Sequence, residues 1–168
     1  VYVPMGGGGL IAGVSAAIKL SRPGVRVVGV EPVGAMKMRA ARDAGQPVTL
    51  EKTASIGDGI MNMRAGDITF AHVQQYVDDL VAVPDEAMAR AVAWLFRHAR
   101  IVAEPSGAAT TAAVMLGLGA PVGTVVAIVS GVGWLAAGLI WGVVWPALAG
   151  EFTLDRALRQ VFGISLVA

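Results

Sequence analysis

Hydrophobic positions along this chain fall into short continuous runs, separated by stretches with helical spacing. Val1-Tyr-Val-Pro-Met5 is a run of strand type, and it stops at four successive glycines, Gly6 to Gly9. Leu10 to Leu20 then reads as a helix, with Leu10, Val14, Ala17 and Ile18 on one face. Arg22-Pro-Gly24 is a turn, and Val25 to Val30 is a near-continuous apolar strand ending in Glu31-Pro32. Uninterrupted apolar strands joined through a helix suit a parallel sheet covered on both faces.

Farther on, Ala35 to Ala44 predicts a cationic helix carrying Lys37, Arg39 and Arg42 and closed by Gly45. Thr49 to Asn62 has no period and contains Ser55-Ile-Gly-Asp-Gly59. A helix is expected over Ile68 to Tyr76 and a strand over Asp79 to Val83. Pro84-Asp-Glu86 then starts a helix running to about His98, since proline fits a first turn and two carboxylates suit the positive dipole end. Ile101 to Ala103 leads into Glu104-Pro-Ser-Gly107, where Ser106 is placed to cap a small-residue helix reaching about Leu116. Gly117 to Gly123 is loop and Val125 to Val129 a strand, with Ser130-Gly131 at its C-terminal end.

Composition narrows the function classes. A chain of 168 residues has the length of one domain with a real core. Its 13 basic and 12 acidic residues leave a net charge of +1, so no field of one sign draws in nucleic acid or an anionic membrane. The lack of cysteine excludes disulfides, thiolate catalysis and Cys-ligated metals. The opening Val-Tyr-Val-Pro4 has no initiating Met and no basic stretch ahead of an apolar one, which reads as the interior of a longer protein rather than a signal peptide.

One bulk feature stands out: 55% of residues are hydrophobic, and Pro105 to Gly150 contains no Asp, Glu, Lys or Arg. Thr124 to Gly150 exceeds the length of about 18 residues at which a membrane span is suspected, so a membrane-anchored reading stands beside the soluble one. Trp134, Trp141 and Trp145 are spread along the run, whereas spans collect tryptophan at their two ends, which weighs against it.

The four glycines have a definite physical use. Without side chains the backbone can curl until several N–H groups converge on an oxyanion, and the helix that follows adds its positive end. A flexible linker would not be bounded on both sides by apolar elements of matched type. Which phosphate is held stays open from these residues alone. Gly7-Gly-Gly9-Leu-Ile-Ala12 satisfies the dinucleotide fingerprint, and Glu31 ends the next strand where a ribose-binding acid belongs, so a dinucleotide-binding Rossmann-like module for NAD is one reading. A P-loop is excluded, since no Gly-Lys-Ser/Thr follows.

Val3-Pro-Met-Gly-Gly-Gly-Gly-Leu-Ile-Ala-Gly13 resembles the phosphate loop of threonine/serine dehydratases and serine racemases. These are fold-type II pyridoxal phosphate (PLP) enzymes of the tryptophan synthase β-like type. The resemblance continues in order through Val28-Gly-Val-Glu-Pro32, Ser55-Ile-Gly-Asp-Gly59, Val77-Asp-Asp-Leu-Val81, Glu104-Pro-Ser-Gly-Ala-Ala109 and Ser130-Gly131. It implies an α/β fold, an incomplete three-layer αβα PLP domain over residues 1–131. Residues 132–168 would be an atypical apolar tail ending in a short amphipathic helix, Glu151 to Gln160.

It also implies roles. The backbone of Gly6, Gly7, Gly8 and Gly9, with Leu10, would hold the cofactor phosphate. Gly59 would approach the cofactor ring, Glu104 would stand near it, and Ser130 would hydrogen-bond the pyridine nitrogen. A neutral hydroxyl there does not force the ring to stay protonated, which makes it a moderate electron sink compatible with eliminating a β-hydroxyl. The implied reaction is loss of water from serine or threonine and then of ammonia, leaving a 2-oxo acid; some relatives racemise serine. A small amino-acid substrate, a cytoplasmic setting, and either a homo-oligomer or dependence on a missing N-terminal half are expected.

The pattern also departs from the family. The family's Schiff-base lysine lies in a Ser-x-Lys-x-Arg motif upstream of the glycine loop. Lys19, Lys37 and Lys52 all lie outside that context, so no catalytic residue is assigned and the chain is expected to be inactive alone. Glu31 and Ala35 match metal ligands of some relatives, but Lys37 stands in the place of a second carboxylate, so no metal is expected. After Ser130 the family's Ser-Gly-Gly-Asn becomes Ser130-Gly-Val-Gly133, which fits a shifted reading frame or a tail packed on another half or subunit. Plainer roles compete at several positions: Ser106 as a helix cap, Glu104 as a turn start, Asp58 as a turn acid. His72 and His98 lie on predicted helices without a partner in sequence.

Overall fold

A computed structural model describes residues 1–129. Three parallel strands, β1 (Tyr2–Pro4), β2 (Val28–Pro32) and β3 (Asp79–Val83), form a sheet in the order β1-β2-β3. Tyr2 pairs with Val28, and Val28 with Asp79. The alternation of side chains sends Tyr2, Val28, Val30 and Val83 to one core, and Val3, Met5, Val27 and Leu80 to the other. Helices α1 (Gly9–Ser21), α2 (Lys37–Ala44) and α3 (Asp67–Tyr76) cover the second core; α4 (Asp85–Trp94) and α5 (Pro105–Met115) cover the first. The architecture is therefore the expected helix–sheet–helix sandwich.

Element boundaries differ from the sequence reading for identifiable reasons. The second strand starts at Val28 rather than Val25. The Val27 N–H donates to the Asp78 carboxylate (2.7 Å) and its carbonyl accepts from Asp78 N (3.0 Å), so a turn rather than the ladder engages it. The expected strand Val125 to Val129 contributes a single parallel bridge, Ala127 to Tyr2. Tyr2 N donates to Val126 O (2.8 Å) and Ile128 N to Tyr2 O (3.0 Å). The next donor in a parallel ladder would be Pro4, which has no N–H, and the Ile128 carbonyl accepts from Thr110 Oγ1 instead (2.9 Å).

Helix α4 ends at Trp94 and widens into a π-helical turn over Leu95–Ala99, short of a regular helix to His98. Arg100, in the left-handed region at φ 59°, closes it. Ser106 does not cap α5. Pro105, with its preset φ, opens the helix; Ser106 lies inside the first turn, where its hydroxyl donates to Glu104 Oε1 (2.6 Å). Among the described residues no helix is long and apolar enough to cross a membrane. Ser130, most of the uncharged run 124–150 and the expected helix Glu151 to Gln160 lie outside the described residues.

After β2 the chain makes a 3-10 turn, Val33–Ala35, that grips the irregular segment before Gly59. Ala54 N donates to Gly34 O (3.0 Å), and a Cβ on Gly34 would sit 1.6 Å from the Ala54 carbonyl oxygen. That contact is backbone against backbone, so no side-chain rotation relieves it. Gly34→Ala is expected to destabilise the fold by about 3 kcal/mol or more, read as a lowered urea midpoint.

Asp78 ties α1 to the sheet through Lys19 Nζ (2.8 Å) and the Val27 N–H. Burial acts to raise its pKa, but the Lys19 ammonium and the Val27 amide prevail and hold it below the usual aspartate value. A depressed folded-state pKa gives stability that is present above the unfolded value and lost as pH falls through the folded one. Asp78→Asn should therefore flatten the acid limb of the unfolding curve without changing its neutral-pH slope against denaturant.

Candidate cofactor phosphate site

Strand β1 delivers the glycine loop to the C-terminal edge of the sheet, where ligands bind in open parallel α/β folds. Met5 is fully buried and its N–H still bonds the β2 carbonyl of Val30 (2.9 Å); the chain then leaves the sheet at Gly6. Gly8 flanks the start of α1 at φ 96°, ψ −1°, a left-handed conformation, and no side chain caps the helix. The first-turn N–H groups of α1 have no acceptor within the helix, and the dipole adds positive potential there. The loop is braced from below: Gly7 O accepts from Gly66 N (3.1 Å) and from Thr69 Oγ1 (2.6 Å), both at the start of α3. Leu10 lies exposed on the first turn.

Gly59 belongs to a 3-10 turn, Asp58–Ile60, that comes against this loop. A Cβ on Gly6 would lie 3.3 Å from Gly59 O and 2.6 Å from Asn62 Oδ1. A Cβ on Gly59 would lie 3.0 Å from Ser106 Oγ and 3.4 Å from Glu104 Oε1. Gly59 thus neighbours both Gly6 and Glu104, 53 residues from the one and 45 from the other along the chain. The Ser55 hydroxyl and Ile56 N–H bind the Asp85 carboxylate (2.6 and 3.0 Å), anchoring the approach to Gly59 on the start of α4.

Other candidates resolve differently. Asp58 Oδ1 accepts from Gly59 N (2.8 Å), the role of a turn acid. His72 bonds the Ile68 carbonyl of its own helix, and His98 stacks on Trp94 at 5.2 Å. Lys52 is exposed, and Lys19 pairs with Asp78 on the outer surface.

Glu31 is 1% exposed, and its two oxygens accept from Met38 N (2.8 Å) and Arg39 N (3.0 Å) at the start of α2. It is committed to the fold and closed to a ribose, which removes the acid that the dinucleotide reading required. Nor do Glu31 and Ala35 form a metal site: both face the Lys37 ammonium, at 3.2 Å and 3.3 Å. Burial pushes the Lys37 pKa below its usual value against the pull of Glu31. Among the described residues no cluster of His, Asp and Glu could hold a metal ion.

Two residues given no role in the sequence reading matter here, Asn62 beside Gly6 and Thr69 beneath Gly7 and Gly8, and a third, Lys37, which counted there only against a metal and outside the Schiff-base context, lies between Met5 and Ile60. Thr69 and Asn62 carry no local signal, because each acts through tertiary contact. The signal for the burial of Lys37 is its place on the face of α2 that also puts Met38 and Ala41 in the core.

A parallel α/β sandwich with an uncapped glycine loop over a helix N-terminus defines a protein that holds a phosphate-bearing cofactor. The model of the family of pyridoxal-phosphate dependent enzymes matches residues 1–131, and the chain belongs to that family. It is 38% identical to the L-threonine ammonia-lyase of Thermotoga maritima over 98% of this chain and 43% of the relative. It is 44% identical to the biosynthetic L-threonine dehydratase IlvA of Escherichia coli over 64% of this chain and 21% of the relative. Among solved structures, the T.th. threonine deaminase superposes with a TM-score of 0.66 at 36% identity, covering 68% of this chain and 39% of that one. Maize serine racemase gives 0.64 at 38% identity, covering 67% and 35%. The chain therefore spans less than half the length of these relatives.

The described residues fit the phosphate end of PLP: small backbone-only positions, an uncapped helix start, and no carboxylate among the loop contacts. A methyl group at Gly8 would meet Thr69 Oγ1 at 2.7 Å and Met38 Cε at 2.9 Å, at a φ that disfavours alanine. Gly8→Ala is expected to cost about 1–3 kcal/mol in stability and to weaken binding of pyridoxine 5′-phosphate at least tenfold, measured by denaturation and calorimetric titration.

Proposed function

We propose that this chain supplies the cofactor-holding part of a PLP-dependent ammonia-lyase acting on threonine or serine. The observation that carries the reading is the convergence of the Gly6–Gly9 loop, the Gly59 turn and Glu104 at one sheet edge, within a fold shared with threonine deaminase and serine racemase. The backbone N–H groups of Gly6 to Leu10 bind the phosphate, helped by the positive end of α1. Gly59 presents a bare backbone to the ring, which a side chain could not do without meeting Ser106. Glu104 is held by the Ser106 hydroxyl, which fixes its carboxylate beside Gly59. Ser130 serves the pyridine nitrogen. When bound, PLP supplies an electron-withdrawing ring that stabilises charge at the substrate α-carbon. The amine that anchors the cofactor comes from a lysine outside this chain, so activity requires a second, lysine-bearing half.

Co-expression of the chain with a lysine-bearing N-terminal half from a relative is expected to yield a complex that releases ammonia and a 2-oxo acid from threonine or serine, while the chain alone releases neither. A complex that forms, binds PLP and produces no 2-oxo acid from either amino acid would sink the lyase reading. Tighter binding of NAD than of pyridoxine 5′-phosphate would sink the cofactor reading.

A further inference from the structure

Lys37 is the bulkiest side chain with no exposed surface among the described residues, and the reading above gives it no part. A methionine of similar length would fill the same space without an ionic group to desolvate. A buried ammonium is costly unless its hydrogens are taken up. Here they are more than taken up. Three N–H bonds face four oxygens: Met5 O at 2.6 Å, Ile60 O at 2.9 Å, Ala35 O at 3.3 Å and Glu31 Oε1 at 3.2 Å.

Those oxygens arrive from separate parts of the chain. Met5 immediately precedes the glycine loop, Ile60 immediately follows Gly59, Glu31 lies near the end of β2, and Ala35 ends the turn after it. Three carbonyls and one carboxylate make an oxygen shell of net charge −1, the donor set of a hard cation. Three of its four distances, those to Ile60 O, Glu31 Oε1 and Ala35 O, exceed the roughly 2.0–2.1 Å of Mg2+ and 2.3–2.6 Å of Ca2+ coordination, and only Met5 O at 2.6 Å reaches the upper end of the Ca2+ range, so the shell as a whole is sized for an ammonium. Without a cation at its centre, the Met5 and Ile60 carbonyls would face one another across a dry gap with no donor. The two loops that meet at the phosphate site would then be pushed apart.

We infer that the Lys37 ammonium is a built-in cation that fastens the Gly6–Gly9 loop to the Asp58–Ile60 turn, making phosphate binding by this chain independent of any dissociable metal ion. Lys37 is a positioning residue: it touches the carbonyls behind the loops, not the ligand. The phosphate part rests on the function proposed above; the cage itself does not.

The test uses the full 168-residue chain and pyridoxine 5′-phosphate, which carries the phosphate but no aldehyde. The unsubstituted chain is expected to keep its unfolding midpoint, and its probe affinity within roughly twofold, in EDTA and in millimolar Mg2+ or Ca2+. Lys37→Met is expected to weaken probe binding roughly tenfold, because the loops lose their preset spacing. Lys37→Ala leaves a hole lined by the same four oxygens. It is expected to regain midpoint and affinity on addition of ammonium or methylammonium chloride, but not of the bulkier tetramethylammonium chloride.

If Lys37→Met does not fold, the double variant Glu31→Gln with Lys37→Met removes both charges; it is expected to fold and still to bind the probe weakly. The inference is overturned by a native chain that loses midpoint in EDTA or gains it with a divalent ion. It is equally overturned by a Lys37→Met or double variant that binds like the native chain, or by a Lys37→Ala variant indifferent to ammonium. Should the native chain bind no probe at all, the phosphate reading fails, and the midpoint measurements with EDTA and ammonium decide the cage alone.

Discussion

The buried pair of Glu31 and Lys37 sets the geometry on which the rest of the site depends. One carboxylate at the end of the central strand does three things: it caps the start of α2 through two N–H groups, it balances the ammonium, and it fixes where that ammonium lies. Such a pair adds little net stability compared with a well-packed apolar alternative, but removing one partner alone is costly, of the order of 3–5 kcal/mol. Its value is geometric. Apolar side chains would hold the same layers together with several possible spacings at the sheet edge, whereas four directed oxygen contacts permit one.

Around that centre the fold follows from ordinary preferences. The sheet needs both faces covered because its strands are apolar on both, and the two helix layers do this with different residues. On the α1–α3 side, Ile11, Met38, Phe70 and Val73 fill space with large side chains. On the α5 side, small residues, Ala108, Ala109, Ala112 and Ala113 with the buried Thr110 and Thr111, bring a helix backbone close to the strands. The glycine loop emerges between these layers at the point where neither covers the strand ends.

Much of this was legible in the sequence because it is local. Apolar runs separated by helical spacing gave the strands and helices, and Gly6 to Gly9 between a strand and a helix pointed to an anion site. The choice of one cofactor over another came from the resemblance of the ordered motifs around Gly59 and Glu104 to a known family. What was not legible depends on tertiary contact. Val27 looks like a strand residue until Asp78 is seen to take its amide. Glu31 has the sequence position of a ribose ligand and the burial of a structural acid. Ser106 has the chemistry of a cap, but Pro105 starts the helix first. Asn62 and Thr69 have no pattern at all, since their importance lies in what happens to come near the loop.

Helix α5 carries a consequence of a different kind. Every residue from Ser106 to Ala113 is buried, and six of these eight are glycine, alanine or serine. Such a helix has almost no neutral substitutions available: any larger side chain must displace a strand, and any smaller one opens a void. A substitution on the outer face of α1 or α3 meets solvent, whereas one between Ser106 and Ala113 meets packed neighbours. Glu104, one residue ahead of this helix, is therefore joined through Pro105 to a fully buried segment. A carboxylate mounted there is held in place by the scaffold itself.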